Sequence, residues 1–512
     1  MTTRTLLLLL AVGLPLLVGC VSTAPPASTV VQVSDPWFTR GQATLERRKA
    51  LARPATKAKN VILFIGDGMG ISTLTAARIF AAQRDLDGEL TGRSGEENHL
   101  SFERFPYSAL VKTYTTNGQV SDSAGTATAM ASGVKTRSGV LSVTSEQPKG
   151  VCAGSRDRAV DTILDLAEES GMSTGVVTTT TLTHATPGAF YASTPHRDWE
   201  YDAVIPADQK PCPDIARQLI EYDRGDGLEV AMGGGRPYFL PAGRPDPEYS
   251  DRTGLRQDGR DLVDEWQQRP GAAYVWNQDQ LRDLDVAQTD RLLGLFESWE
   301  LKYTVFRDPK NEADPTLTEM TRAAIDILQK NPRGFFLMVE GGRIDHGHHY
   351  GSAHMALEET RQLSMAVAAA MEKVDLDNTL ILVTADHSHT LTISGYPSRG
   401  NDILGLVREN DDQGGATGKL ARAEDGKPFT TLGYANGPGA RHSFDEQGRT
   451  DPSDHQTHGS RYRQQALVRL SDETHGGEDV ALYATGPQAH LVGGLIEQNV
   501  IFHLMRHALG LD

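Results

Sequence analysis

Four apolar runs in this sequence each lead directly into side chains of metal-ligand type. Asn60 to Ile65 runs into Gly66-Asp67-Gly68-Met69-Gly70, and Gly175 to Thr180 leads to His184 and Thr186. Gly334 to Val339 ends at Glu340, and Thr379 to Thr384 leads to Asp386 and His387. A single Asp after a strand is ordinarily a helix cap. Capping does not explain four strands that deliver oxygen and imidazole groups at the same place. In an open α/β sheet the carboxyl ends of the strands form the binding crevice.

Two further clusters carry chemistry. Glu340 opens Glu340-Gly-Gly-Arg-Ile-Asp345-His346-Gly-His348-His349. Asp345 and His349 are four apart, so on a helical turn they share a face and chelate one ion. Taken alone, the same residues are a surface histidine patch; the adjoining strand end favours the ligand reading. The other cluster is Val120-Ser121-Asp122-Ser123-Ala124-Gly125-Thr126-Ala127-Thr128-Ala129. Its small residues allow close approach to a ligand. Ser123 is expected to open a helix over Ala124 to Ser132, with Gly133 as its stop. Its hydroxyl then sits where backbone N–H groups favour an anion. By itself this motif is also an ordinary Ser cap.

The elements that must hold these residues follow from periodicity. The four runs read as short buried strands. Helical patterns lie between them at Ala159 to Glu169, Leu317 to Gln329 and His354 to Lys373. Strands alternating with helices predict an α/β fold: a large, mostly parallel central sheet flanked by helices on both faces. Trp37 to Arg53 reads as a further helix ended by Pro54. Residues 390–465 are rich in Gly, Asp and His, lack long periodic segments, and read as an inserted surface region before a final strand at Asp479 to Ala484. Gly233-Gly234-Gly235 reads as a tight loop. No internal repeat is present.

Bulk composition bounds the partners. The chain has 512 residues, 38% hydrophobic and 23% charged, enough for one large domain with a substantial core. The net charge of -17 excludes a general nucleic-acid binder and leaves any phosphate binding to local cations. Arg4 precedes an apolar run from Leu6 to Val18 that is too short for a confident membrane span and reads as a signal peptide. The run ends in Leu17-Val18-Gly19-Cys20, which resembles a bacterial lipobox with Cys20 as the lipidated new terminus. The expected organisation is a signal over 1–19, a flexible tether over 20–34 and one large domain over 35–512. Two cysteines then remain, Cys152 and Cys212, and an oxidising compartment permits one pairing between them; two buried thiols are the alternative.

Together these motifs resemble the alkaline phosphatase family, over roughly Asp35 to Leu509. Asp-Ser-Ala-Gly-Thr-Ala at 122–127, His184 and His346 resemble the animal-type enzymes more than the enteric bacterial type. Thr474-His475-Gly-Gly-Glu-Asp479 and Gly486-Pro-Gln-Ala-His-Leu491 also match. The resemblance implies hydrolysis of phosphate monoesters at alkaline pH with Ser123 as nucleophile. It implies one zinc on Asp67, Asp386 and His387, a second on Asp345, His349 and His475, and magnesium on Asp67, Thr186 and Glu340 with His184 nearby. Arg197, in His196-Arg197-Asp198-Trp199, would clamp the phosphate and be positioned by Asp122. Glu248, Glu297, Asp314 and the Phe296 carbonyl match a calcium site of animal-type relatives, against a reading as three solvated acids. Likeness also implies a homodimer, with the helix at 37–53 as an arm on the partner subunit. The lipid on Cys20 implies an envelope location, anchored to a membrane. Two other readings are a phosphodiesterase or sulfatase of the same superfamily and a non-catalytic, metal-loaded surface lipoprotein.

Overall fold

The computed structural model describes residues 34–49, 56–308 and 314–512. The expected signal peptide, Cys20, the tether up to residue 33 and the predicted helix end at 50–53 lie outside the described residues.

The four apolar runs form parallel neighbours at the centre of a ten-stranded sheet. They are β1 (Asn60–Gly66), β3 (Ser173–Thr181), β7 (Phe335–Gly341) and β8 (Thr379–Ala385). Every residue of all four is buried, as expected when helices cover both faces. The other strands are β2 (Tyr107–Lys112), β4 (Val230–Gly234), β5 (Ala272–Val275), β6 (Arg291–Leu295), β9 (Val480–Thr485) and β10 (Gly494–Glu497). Their order is β10-β2-β9-β8-β1-β7-β3-β4-β6-β5. Only β9 runs antiparallel to its neighbours, β2 and β8.

Register sets the crevice. Gly66 pairs with Gly341 on one side and with Ala385 on the other. Asp67 and Asp386 therefore leave their strands at the same level. Glu340 pairs with Ile65 and with Thr178, one step below that edge.

The helices that matter for the site are α1 (Pro36–Lys49), α2 (Ile71–Gln83), α3 (Ser123–Ser132), α4 (Ile163–Glu169), α5 (Ala185–Tyr191), α6 (Leu317–Leu328), α7 (Arg343–His349), α8 (Ala353–Lys373) and α9 (Val500–Leu509). α4 starts four residues later than its sequence pattern suggested, because Thr162 and Asp165 cap each other reciprocally. α3 is built from Ala, Gly, Ser and Thr with one Met, Met130, and is buried along its whole length. Its cap is Asp122, whose side chain accepts from the Gly125 N–H, and not Ser123. Gly133 ends it with φ of 76°. Gly233 and Gly234 belong to β4 rather than to a loop. They lie where another chain segment crowds in: a Cβ on Gly234 would meet the Trp299 carbonyl oxygen at 1.8 Å. β9 is not the last strand, since β10 and α9 follow it.

Residues 391–393, 432–437 and 465–469 form a separate three-stranded sheet, joined by short hairpins at 408–420 and 444–449. α1 packs on its own chain, with the Phe38 ring 4.8 Å from His503 and 6.0 Å from Phe502. Cys152 and Cys212 form a disulfide. Among the described residues no helix is long and apolar enough to cross a membrane.

Candidate active site

α3 delivers Ser123 to the edge that carries Asp67 and Asp386. Ser123 Oγ lies 3.2 Å from His387 Nε2 and 3.4 Å from both oxygens of Asp67. With Asp122 as the cap, the Ser123 hydroxyl is not consumed by its own helix and faces these groups. Thr126, one turn on, reaches Asp386 Oδ2 at 3.4 Å.

The histidines supply the most informative geometry. His475 Nδ1–H donates to the Ser121 carbonyl at 2.7 Å, and His349 Nδ1–H donates to the Glu473 carbonyl at 2.5 Å. In the neutral rings each Nε2 then carries a lone pair, and the two atoms face each other at 3.0 Å. Asp345 Oδ1 lies 3.3 Å from one and 3.4 Å from the other. In the neutral rings no hydrogen lies between the two imidazoles, or between either of them and Asp345 Oδ1. His387 repeats the pattern: Nδ1 faces the Ser388 carbonyl, and Nε2 lies 3.3 Å from Asp67 and 3.2 Å from Asp386. The His387 and His475 rings stack at 3.6 Å, which brings the two clusters together. Histidine that points one nitrogen at a backbone carbonyl and the other at a shared centre is the usual arrangement of a metal ligand.

His389 differs. Its Nδ1 meets Glu473 Oε2 at 2.5 Å and its Nε2 meets Asp345 Oδ1 at 2.6 Å. Both nitrogens are donors, so it is a cation between carboxylates. Burial opposes that charge, but Glu473 and Asp345 push its pKa up to about 10. His389 thus orients Asp345 and leaves no lone pair for an ion. Sequence reasoning missed this layer. The available signals were the two-residue spacing from His387 and Glu473 two residues before His475.

Charge in the crevice is unbalanced. Burial, then Asp386, Asp345 and Glu340, raise the Asp67 pKa well above the usual carboxylate range. Burial raises Asp386 and pushes Glu340 to about 7. Burial also holds His387 well below the usual histidine value, so this imidazole does not supply the missing positive charge. Buried carboxylates of this kind are paired or coordinate cations. Atoms of Asp67, Asp386 and His387 lie within 4.8 Å of one another, as do those of Asp67, His184 and Glu340. Glu340 Oε1, Thr186 Oγ1 and His184 Nδ1 are buried and make no hydrogen bond. The residues therefore fit metal ions: an oxygen-rich set at Asp67, Thr186 and Glu340, and imidazole-containing sets at the other two clusters.

Arg197 stands beside them. Its Nη1 reaches Asp122 Oδ2 at 3.3 Å and its Nη2 donates to His184 Nε2 at 3.1 Å. Asp122 Oδ2 also accepts from the Gly139 N–H at 2.8 Å, and the Arg197 N–H donates to the Gly139 carbonyl at 3.0 Å. Burial, then the neighbouring Arg197 cation, hold His184 well below its ordinary pKa. It is a neutral acceptor toward the guanidinium.

The remaining predicted residues gather elsewhere. Glu297 follows Phe296 just beyond β6; its Oε1 accepts from Tyr249 at 2.5 Å and pairs with Lys302 at 3.3 Å. Glu248 pairs with Arg236 at 2.8 Å, and Asp314 accepts the Lys302 N–H at 3.1 Å. These acids form one neighbourhood on the β6 side of the sheet, with two basic side chains among them.

Residues 58–511 match the family described as Alkaline phosphatase. The chain is 47% identical to the tissue-nonspecific isozyme of alkaline phosphatase from Gallus gallus, covering 93% of this chain and 89% of that protein. It is 44% identical to the human tissue-nonspecific isozyme, over 96% of this chain and 92% of the relative. Among solved structures, the alkaline phosphatase of Thermus thermophilus superposes with a TM-score of 0.63 at 25% identity, covering 92% of this chain and 95% of that one. The enzyme from the Antarctic bacterium TAB5 gives 0.59 at 22% identity, over 90% and 100%.

Proposed function

The chain belongs to the alkaline phosphatase family and is an enzyme of phosphate-monoester hydrolysis; we propose that it works through a phosphoserine on Ser123, with two zinc ions and one magnesium ion held by the crevice. Asp67, Asp386 and His387 would hold one zinc, and Asp345, His349 and His475 the other. Asp67, Thr186 and Glu340 would hold magnesium, with His184 beside it. When bound, such ions supply Lewis-acid stabilisation of developing negative charge on oxygen. The observation that carries this reading is the pair of imidazole nitrogens at His349 and His475, 3.0 Å apart and facing Asp345, with their other nitrogens on backbone carbonyls.

The chain's own residues perform the rest. Arg197 presents its planar fork to two non-bridging phosphate oxygens, and Asp122 and His184 fix that fork before substrate arrives. The start of α3 adds backbone N–H groups toward the same anion. Ser123 Oγ attacks phosphorus as its hydroxyl proton passes to solvent, the bond to the leaving oxygen breaks, and the alcohol departs after taking a proton from water. Water then attacks the phosphoserine, which frees Ser123 and inorganic phosphate.

A Ser123→Ala variant tests this. Release of phosphate from a nitrophenyl monoester should fall by orders of magnitude while zinc content is kept. Acid-quenched wild type turning over substrate should carry phosphate on the peptide that contains Ser123. Undiminished release, or an unmodified Ser123, defeats the mechanism. Turnover of the matching diester faster than the monoester would favour the phosphodiesterase reading.

Three finer readings belong to the same proposal. Cys20 carries lipid and holds the enzyme at the cell envelope, so a Cys20→Ser variant should leave the detergent phase. The enzyme works as a homodimer, which sedimentation would reveal. Glu248, Glu297, Asp314 and the Phe296 carbonyl take a calcium ion, supported by their all-oxygen chemistry. Metal analysis of Glu297→Gln should then show one calcium fewer than wild type.

A further inference from the structure

A second group of acids lies at the opposite edge of the central sheet, where the strands begin. Glu168 is the last but one residue of α4, Asp226 lies in the turn before β4, and Glu229 directly precedes β4. Thr174, the second residue of β3, stands between two of them. Its N–H donates to Glu229 Oε2 at 2.6 Å and its hydroxyl donates to Glu168 Oε1 at 2.5 Å. A carboxylate oxygen from each of the three acids lies within 4.8 Å of the other two.

Burial makes this arrangement costly as it stands. Glu168 is 1% exposed and Glu229 8% exposed, while Asp226 faces solvent. Arg291, at the start of β6, spends its donors on the carbonyls of Asp226, Gly227 and Leu228 and on Asp226 Oδ2. Among the described residues no ion pair joins Glu168 or Glu229 to a basic side chain. The nearby Tyr222 hydroxyl donates to Asp165 instead.

An independent observation points to a ligand. Glu168 Oε2 is buried and has no hydrogen-bond partner. It looks toward Gly225, whose φ is 56° and where a Cβ would approach it to 2.7 Å. A proton shared by the two glutamates is the other way to settle them. Placed on Oε2, that proton finds no acceptor. Burial and then Glu229 push Glu168 up to about 9, and burial pushes Glu229 to about 7. At more alkaline pH no proton remains to neutralise the pair.

We propose that Glu168, Glu229 and Asp226 form a divalent-cation site of the calcium class, which ties α4 to the turn before β4. Three carboxylates against the single charge of Arg291 leave two negative charges, which one divalent ion balances. The donors are all oxygen, and Asp226 leaves the site open to water, as calcium and magnesium require. With neither imidazole nor thiolate, the set does not suit zinc. The site lies at the far ends of the strands from Ser123, so its role is structural.

The test uses the intact enzyme saturated with zinc and magnesium, dialysed against calcium at about pH 9.5, where the glutamates are ionised. Wild type is compared with E168Q/E229Q and with E297Q. Glutamine keeps an acceptor for Thr174 and removes the charge. The double variant should bind one calcium fewer per chain and lose a calcium-dependent rise in Tm, with phosphate release unchanged. E297Q should keep that Glu168-dependent ion, which separates this site from the acids near β6. The proposal is overturned if wild type and the double variant bind equal calcium. It is also overturned if wild-type Tm falls equally from pH 6 to 10 with and without calcium, because the pair then holds only a proton. Should the double variant fail to fold, E168Q alone decides by the same two measurements.

Discussion

Arg197 holds its place by contacts on two sides, Asp122 and His184, and a lysine has no second arm to reproduce them. Losing one charge-assisted hydrogen bond to a bound anion costs about 1.5–3 kcal/mol, or roughly 10- to 150-fold in affinity. Arg197→Lys is therefore expected to raise the inhibition constant of inorganic phosphate by about that factor, and KM more than it lowers kcat. Equal loss in kcat with unchanged phosphate inhibition would show that Arg197 does not grip phosphate. Gly68 makes a second residue-level case. Its φ is 69°, and a Cβ there would come 2.4 Å from His389. Gly68→Ala should displace His389 from Asp345 and lower zinc content along with activity, which metal analysis would detect. Asp67, Asp345 and Asp386 were legible in the sequence because each stands in a motif at a strand or helix end. His389 and Glu473 were not, since a buried ion pair between distant residues leaves no local pattern. Nothing in the sequence separates His389, paired between two carboxylates, from His387, a proposed ligand; the hydrogen bonds of their nitrogens do.

At the scale of elements, the apolar central strands were legible because burial on both faces leaves no polar alternation to interpret. The strands β2 and β10, at one end of the sheet, were not, because Leu110 and Leu495 on them are 46% and 53% exposed. The docking of α1 carries a pH dependence of its own. His503, on α9, packs under Phe38, and a Cβ on Gly41 would come 2.6 Å from its ring. Burial, then the Arg506 cation, lower its pKa from 6.5 to about 3. Above pH 6.5 the ring is neutral whether α1 is docked or free, and docking keeps its full stability. As pH falls below 6.5 the freed ring takes a proton and the docked one does not. Stability then drops by about 1.4 kcal/mol per pH unit until the docked ring also titrates near pH 3. The protection factors of the α1 amides, corrected for the intrinsic exchange rate at each pH, should fall from pH 8 to pH 5 in wild type and much less in His503→Gln. An equal fall in both would remove His503 from the account.

At the scale of the molecule, the disulfide between Cys152 and Cys212 does more than close a loop. Trp199, Ile205 and Cys212, with Cys152 against them, form a small apolar cluster separate from the main core. Trp199 lies two residues after Arg197, and its N–H closes a turn onto the His196 carbonyl while its own carbonyl accepts from the Ile215 N–H. His196 stacks on the Trp199 ring at 5.9 Å. The other side of the loop is fixed where Thr194 and Leu141 exchange hydrogen bonds. The proposed phosphate clamp thus stands on a loop whose packing rests on the disulfide cluster and not on the central sheet. Cross-linking residues 60 apart restricts the unfolded chain by about 4 kcal/mol in the loop-entropy account. If that were its only effect, C152S/C212S would melt earlier and bind phosphate normally below its Tm. The packing predicts a second effect. The folded double variant should show a KM and a phosphate inhibition constant several-fold higher with a smaller change in kcat, and Trp199→Ala, which keeps the disulfide, should reproduce that split. Unchanged phosphate inhibition in Trp199→Ala would reduce the disulfide to a staple and leave Arg197 positioned by Asp122, His184 and Gly139 alone.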